Sequence, residues 1–242
     1  MTTSKSLVAL RFDSKRDYEK NLSVLISLVD EAKDNSIIVA PEVCLSDYDY
    51  DNFQKAIEFT PYAIEKLLLH VKSKTLILTV IERKEDGVYN VAKVLHRGEV
   101  IYSQPKAKLF KFGDEHHYFK AGDESDIAVF EVDGIKMGIL ICFELRFKKF
   151  WSALEGADII AIPARWGKIR TQNFISLTNA LAIINQCYVI ASDASNNDFT
   201  GESGIITPFG QERRNANLKS ITEPFEASKI RKMRRYMDVG IK

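Results

Sequence analysis

Short apolar runs with β-branched residues recur along the chain, and they predict strands. In the first half they are SLVALRF (6–12), SIIVAPE (36–42), TLILTVIER (75–83), NVAKVLHRG (90–98) and EVIYSQPK (99–106). DIAVFEV (126–132), IKMGILIC (135–142), ADIIAIPA (157–164), CYVIASDA (187–194) and ESGIITPFG (202–210) follow. Several are apolar at successive positions, the pattern of strands buried on both faces. Between them lie helical periodicities. In 17–33, Leu22, Leu25, Ile26, Leu28 and Val29 return on one face. Segments 61–72, 147–155, 169–186 and 226–236 also predict helices. Asp86-Gly87 and Asp133-Gly134 are tight-turn dipeptides between apolar runs. Strands alternating with helices, plus hairpins, predict a layered α/β fold with helices outside a mixed sheet system. No repeat, low-complexity tract or linker interrupts the pattern, so one domain over 1–242 is expected.

Composition changes this picture little. The chain has 242 residues, 45% hydrophobic and 28% charged, in the range of ordinary globular proteins. A net charge of +1 gives no general attraction to nucleic acid or an anionic membrane. The first fifteen residues lack the apolar run of a signal peptide, and no segment is long and apolar enough to span a bilayer. Cys44, Cys142 and Cys187 are odd in number and far apart, which argues against a disulfide framework and for a reducing, cytoplasmic setting. The basic KIRKMRR segment (229–235) reads as a solvated or subunit-contact helix face rather than a nucleic-acid site.

Motif absences prune the chemistry. There is no G-x-G-x-x-G, P-loop, C-x-x-C, H-E-x-x-H or G-x-S-x-G. His116 and His117 are adjacent and should diverge, which favours a loop role over a metal site. No histidine follows residue 117, so a reactive Cys142 would look to carboxylate and lysine for help. Three apolar strands supply candidates at their ends: Pro41-Glu42, Pro105-Lys106 and Cys142. In layered α/β folds the carboxyl ends of strands are where functional groups converge.

Glu42, Lys106 and Cys142, in that order with these flanks, resemble the nitrilase superfamily of carbon–nitrogen hydrolases. Its lysine motif stands as Lys106-Ala107-Lys108-Leu109-Phe110, followed by Glu115, Phe119 and Gly122 of E-x-x-x-F-x-x-G. Its cysteine motif reads Gly138, Ile141, Cys142, Glu144, Arg146, Phe147, and Gly156-Ala157-Asp158 with Pro163 to Trp166 completes the match. The resemblance implies a four-layer αββα sandwich, homodimers or larger homo-oligomers, and hydrolysis of a small linear amide without metal or organic cofactor. Amide hydrolysis needs a nucleophile, a proton shuttle and oxyanion donors. Cys142 would attack, Glu42 would carry the proton, and Lys106 with the backbone N–H of Phe143 would hold the oxyanion. By resemblance, Glu115 positions the lysine. N-carbamoyl hydrolysis and a catalytically silent, small-molecule-binding relative are the alternatives.

The sequence departs from the family at Lys108 (often histidine), Phe143 (often tyrosine) and Glu144 (usually aspartate). The family's R-A-x-E-N helix reads Leu181-Ala182-Ile183-Ile184-Asn185. Arg165 is a candidate for gripping a substrate carboxylate, beside Trp166 in the same binding wall. Arg146 is expected to pair with an acidic residue, and Cys44 and Cys187 to pack.

Overall fold

The computed structural model describes residues 5–241; residues 1–4 and 242, included in the single domain expected from sequence, lie outside the described residues. Alternation within the first strands fixes the layers, because successive side chains of a strand face opposite ways. In β1 (Ser6–Leu10), Leu7 and Ala9 enter one apolar cluster while Val8 and Leu10 enter another. In β2 (Ser36–Val39), Ile37 and Val39 join the first cluster and Ile38 the second. The second cluster is closed by α1 (Tyr18–Glu31), through Leu22, Leu25 and Val29, and by α2 (Phe53–Leu68), through Ala63 and Leu67. The first cluster fills the space facing a second sheet and continues through that sheet to the helices beyond it.

β3 (Thr75–Lys84), β4 (Gly87–His96) and β5 (Glu99–Pro105) complete one side of the first sheet. After the single turn α3 (Glu115–Tyr118), the second sheet is built from β6 (Phe130–Val132), β7 (Ile135–Ile139), β8 (Ile159–Ala164), β9 (Tyr188–Asp193), β10 (Gly204–Ile206) and β11 (Glu212–Arg214). β12 (Ser220–Pro224) returns to the first sheet and pairs antiparallel with β1. Each sheet therefore has six strands, in the orders β12-β1-β2-β3-β4-β5 and β11-β10-β9-β8-β7-β6. In each, one parallel triplet (β1-β2-β3, β7-β8-β9) is flanked by antiparallel neighbours. α4 (Lys148–Ala153) and α5 (Thr171–Ile184) cover the second sheet through Phe150, Phe174, Leu181 and Ala182. The result is helix, sheet, sheet, helix, the expected αββα sandwich, with α6 (Ala227–Tyr236) packing Ile230 against it.

The differences from the sequence reading lie at the ends of elements. α2 starts at Phe53, not 61, and runs through Pro61. Its buried face (Ala56, Ile57, Thr60, Ala63, Leu67) holds it against β3, where the Thr60 hydroxyl donates to the Ile81 carbonyl at 2.7 Å. That tertiary packing outweighs proline's missing donor. β11 and β12 escape the apolar pattern because they are edge strands of mostly polar residues, ERR and SITEP. β2, β5 and β7 end at Val39, Pro105 and Ile139, short of the ends of the runs 36–42, 99–106 and 135–142. Glu42 and Cys142 are thereby released from ladder pairing, and Lys106, which keeps one backbone bond to β4, stands just past the end of β5.

Candidate active site

Past β2 the chain is tied down at each step. Ala40 N–H donates to Ile77 O (2.9 Å), Glu42 N–H to Ala164 O at the end of β8 (3.2 Å), and Val43 N–H to the Thr79 hydroxyl (2.7 Å). Val43 has φ +47°, a left-handed conformation that is unfavourable for a β-branched residue. This bend aims Glu42 inward, where it is 1% exposed. Lys106, just past β5, is fully buried. Its N–H donates to Asn90 O (2.8 Å) and its carbonyl accepts from Gly122 N–H (2.9 Å).

The Lys106 ammonium lies 2.7 Å from Glu42 Oε1 and 2.7 Å from Glu115 Oε1. Glu115 Oε2 accepts from the Phe110 N–H at 3.0 Å, which anchors the loop after Lys106. Burial alone would lower the pKa of Lys106, but the two carboxylates outweigh it and hold the value above the ordinary lysine range. The ammonium is therefore charged. Burial raises Glu115 against the pull of Lys106.

Gly122 explains the last letter of its motif. A Cβ there would meet the Pro105 carbonyl oxygen and Cβ at 2.7 Å each. Gly122→Ala should destabilise the protein by about 1–3 kcal/mol through overpacking, read as a lower urea midpoint.

Cys142 stands differently from the sequence expectation of a strand end. β7 stops at Ile139, and Cys142 opens a 3-10 helix, Cys142–Arg146, with φ +48°. A non-glycine residue held there is strained, and such strain persists where surrounding structure over-determines it. The helix packs Leu145 in the core and leaves Cys142 8% exposed, on the wall of a cleft shared with Glu42, Tyr48, Glu115 and Arg165. The Phe143 N–H lies in the first turn, where helix geometry leaves donors without an intrahelical carbonyl. Burial pushes the Cys142 thiol well above its ordinary value and Glu42 adds to the rise, while Lys106 and the Arg165 backbone N–H oppose it. The resting group is a thiol that must lose its proton as it reacts.

The family model described as carbon-nitrogen hydrolase matches residues 7–217. The chain belongs to the carbon-nitrogen hydrolase family. It is 33% identical to a 2-oxoglutaramate amidase of Bacillus subtilis, over 75% of this chain and 73% of that protein. It is 31% identical to a deaminated glutathione amidase of Escherichia coli, over 80% of this chain and 79% of that protein. In fold, it matches the Saccharomyces cerevisiae member of branch 10 of the nitrilase superfamily with a TM-score of 0.86 at 21% identity, covering 98% and 95% of the two chains.

Two polar groups of this carbon-nitrogen hydrolase escape the sequence reading. The Tyr48 hydroxyl donates to Glu42 Oε1 at 2.7 Å and lies 3.1 Å from Glu115 Oε1. Asn90 Nδ2 donates to Glu42 Oε1 at 2.9 Å and to the Tyr48 oxygen at 3.0 Å. Burial, with Glu115 and Glu42 nearby, raises Tyr48 well above its usual value, so it remains a donor. Lys106, Tyr48 and Asn90 thus crowd onto one oxygen of Glu42 and fix the carboxylate plane. Asn90 opens its apolar run in the sequence, whereas β4 begins at Gly87 and buries the amide in mid-strand, where a polar side chain needs partners.

The remaining candidates separate. Trp166 is buried in the cleft wall, its indole N–H donating to Arg170 O at 3.0 Å. Arg165 lines the same cleft, with its guanidinium 2.7 Å from Asp47 and stacked 4.3 Å from the Phe199 ring. Arg146 has no acidic partner among the described residues, contrary to expectation. It donates to Asn173 Oδ1 at 3.0 Å and lies over the Trp166 ring at 4.9 Å. Lys108, where the family often has histidine, pairs with Glu124. The His116 and His117 rings do not diverge: their centroids lie 3.9 Å apart in α3. No metal-holding group of three or more His, Cys, Asp or Glu occurs among the described residues. Cys44 and Cys187 are buried in the core, where burial pushes the Cys44 thiol up to about 12.

Proposed function

We propose that the protein hydrolyses a small linear amide through a Cys142 acyl-enzyme and releases ammonia. The observation that carries this reading is the single buried network of Glu42, Lys106 and Glu115 opening on the cleft that Cys142 lines. Glu42 takes the Cys142 proton as sulfur attacks the amide carbon, and the carbonyl oxygen becomes an oxyanion held by Lys106 and the Phe143 N–H. Glu42 then passes the proton to nitrogen, the C–N bond breaks, and ammonia leaves. Water attacks the thioester, Glu42 receives its proton, and the carboxylic acid departs as the thiol is restored. Glu115 keeps Lys106 aimed. No step calls for a cofactor.

The cleft mouth indicates what else the substrate carries. Arg146, Arg165 and Arg170 line it together with Trp166 and Phe110. Among the described residues Arg146 and Arg170 have no carboxylate partner, while Arg165 is held by Asp47. A linear amide with a carboxylate at its far end fits this mouth, since guanidinium binds carboxylate through charge-assisted hydrogen bonds. The relatives named for 2-oxoglutaramate and deaminated glutathione support the same class. Arg165 and Trp166 then form the wall against which the acyl chain lies. Ammonia release should be measured over monoamides of dicarboxylic acids, neutral amides, nitriles and carbamoyl compounds. The acidic monoamides are expected to be turned over best. Arg170→Met should lower their kcat/KM by roughly 10- to 100-fold, mainly through KM, as for a lost hydrogen bond to a charged group. It should leave neutral amides nearly unchanged. Equal turnover of acidic and neutral amides would remove the carboxylate from the proposal.

The reading also takes in a cytoplasmic setting and a homo-oligomer. Unpaired, buried cysteines support the first. For the second, the altered family helix is informative: Leu181 and Ala182 of α5 are buried, while Ile183 and Ile184 stay exposed and could meet another subunit.

A further inference from the structure

The proposed chemistry leaves one buried carboxylate unused. Glu144 is fully buried in the 3-10 helix that begins at Cys142. Its Oε2 accepts the Ile141 N–H at 2.7 Å, and its Oε1 accepts the Ala107 N–H at 2.6 Å and, more distantly, the Lys108 N–H at 3.4 Å. Ile141 immediately precedes Cys142, and Ala107 immediately follows Lys106. These two segments leave different sheets, β7 in one and β5 in the other, so no strand ladder sets their separation. The Glu144 carboxylate ties the two segments together at the residues next to Cys142 and Lys106, beyond the longer bond from Gln104 Nε2 to Ile139 O at 3.3 Å that joins the strands themselves. Burial pushes the Glu144 carboxyl up to about 7, while the N–H groups of Ile141 and Ala107 and the Lys106 ammonium favour its ionised form.

Backbone N–H bonds to an ionised carboxylate are short and strong, and the side chain has little freedom inside the core. An aspartate, expected from the family pattern, has one methylene less with which to reach across. Resting on the proposed acyl-enzyme chemistry, we infer that Glu144 is a positioning residue whose carboxylate clamps the Cys142 and Lys106 backbones together, holding nucleophile and oxyanion donor in register. Cys142 itself has no need of this clamp to react with an electrophile that forms no oxyanion. Only reactions that build charge on a carbonyl oxygen depend on the register.

That difference gives the test. Acetylation of Cys142 by p-nitrophenyl acetate passes through an oxyanion, whereas alkylation by iodoacetamide does not. Both rates should be followed by peptide mass spectrometry in the full chain, normalised to the Cys142 that remains modifiable. Glu144→Gln keeps the shape but turns one acceptor into a donor facing an N–H. It should slow acetylation by roughly 10- to 100-fold, as expected for a reacting group displaced by about an ångström. Alkylation should stay within about threefold, since it lacks the oxyanion step. Glu144→Asp, which keeps the charge, should recover part of the acetylation rate. Equal slowing of both reactions would mean that Glu144 acts on the thiol itself, and no slowing of either would mean that the clamp is dispensable. Either result overturns the inference. Wild-type Cys142 that is acetylated no faster than Cys44 would instead overturn the acyl-enzyme reading on which the clamp rests.

Discussion

Cys142→Ala is expected to abolish turnover, lowering kcat by at least about 10⁴-fold, because losing the proposed nucleophile removes the covalent route altogether. The protein should remain folded. The side chain is small, it sits where the core meets the cleft, and its strained φ is set by the chain around it. Circular dichroism and the urea midpoint check that half of the result. The other half is read by mass. Acid quenching of wild-type enzyme during turnover should trap an acyl adduct on Cys142, while Cys44 and Cys187 remain unmodified within the core. Substantial ammonia release by the folded alanine variant, or an adduct on another cysteine, would rule out the assigned nucleophile.

The three candidate groups were legible in sequence because each follows an apolar run, two of them are charges that a core normally rejects, and their flanks match the motifs of one family. Their exact setting was not. Apolar periodicity continues through Leu140 and Ile141, so the run reads as strand up to Cys142, whereas pairing ends at Ile139 and the chain turns. Hydrophobicity reports burial, and burial here continues beyond the ladder. Arg146 illustrates the opposite failure: its charge suggested an acidic partner, but it satisfies itself on an amide and an aromatic face. Tyr48 and Asn90 were hidden because they reach Glu42 from a loop and from mid-strand, and only the assembled sheet brings them together. The layers themselves were legible wherever strand alternation was strong, and edge strands such as β11 were not.

Lys106→Met should damage both stability and activity, and the two effects separate with pH. Methionine can fill the volume, but it leaves Glu42 and Glu115 buried without the cation that both contact at 2.7 Å. Breaking a buried pair in this way costs about 3–5 kcal/mol. In wild type the Lys106 pKa is raised in the folded state, so its contribution is fully present below the unfolded lysine value and is lost only as pH rises through the higher folded one. Glu115 has the opposite consequence for a carboxylate: its folded pKa lies above the ordinary value, so between the two values the native state binds a proton that the unfolded chain releases. Stability from that site increases as pH falls through the folded value toward the unfolded one. Without Lys106 the rise in Glu115 grows, and acid relieves the variant more than the wild type. Urea unfolding should therefore show the full deficit at pH 7.5 and a smaller one at pH 5.5. Activity behaves differently, because the oxyanion donor that Lys106 is proposed to supply is not replaced by a proton on Glu115. Normalised to folded protein, kcat should remain roughly 10²- to 10³-fold low at both pH values. A stability deficit that is the same at the two pH values would show that the ammonium is not what makes the buried carboxylates tolerable. Recovery of kcat in step with stability would show that Lys106 supports the fold but does not touch the transition state.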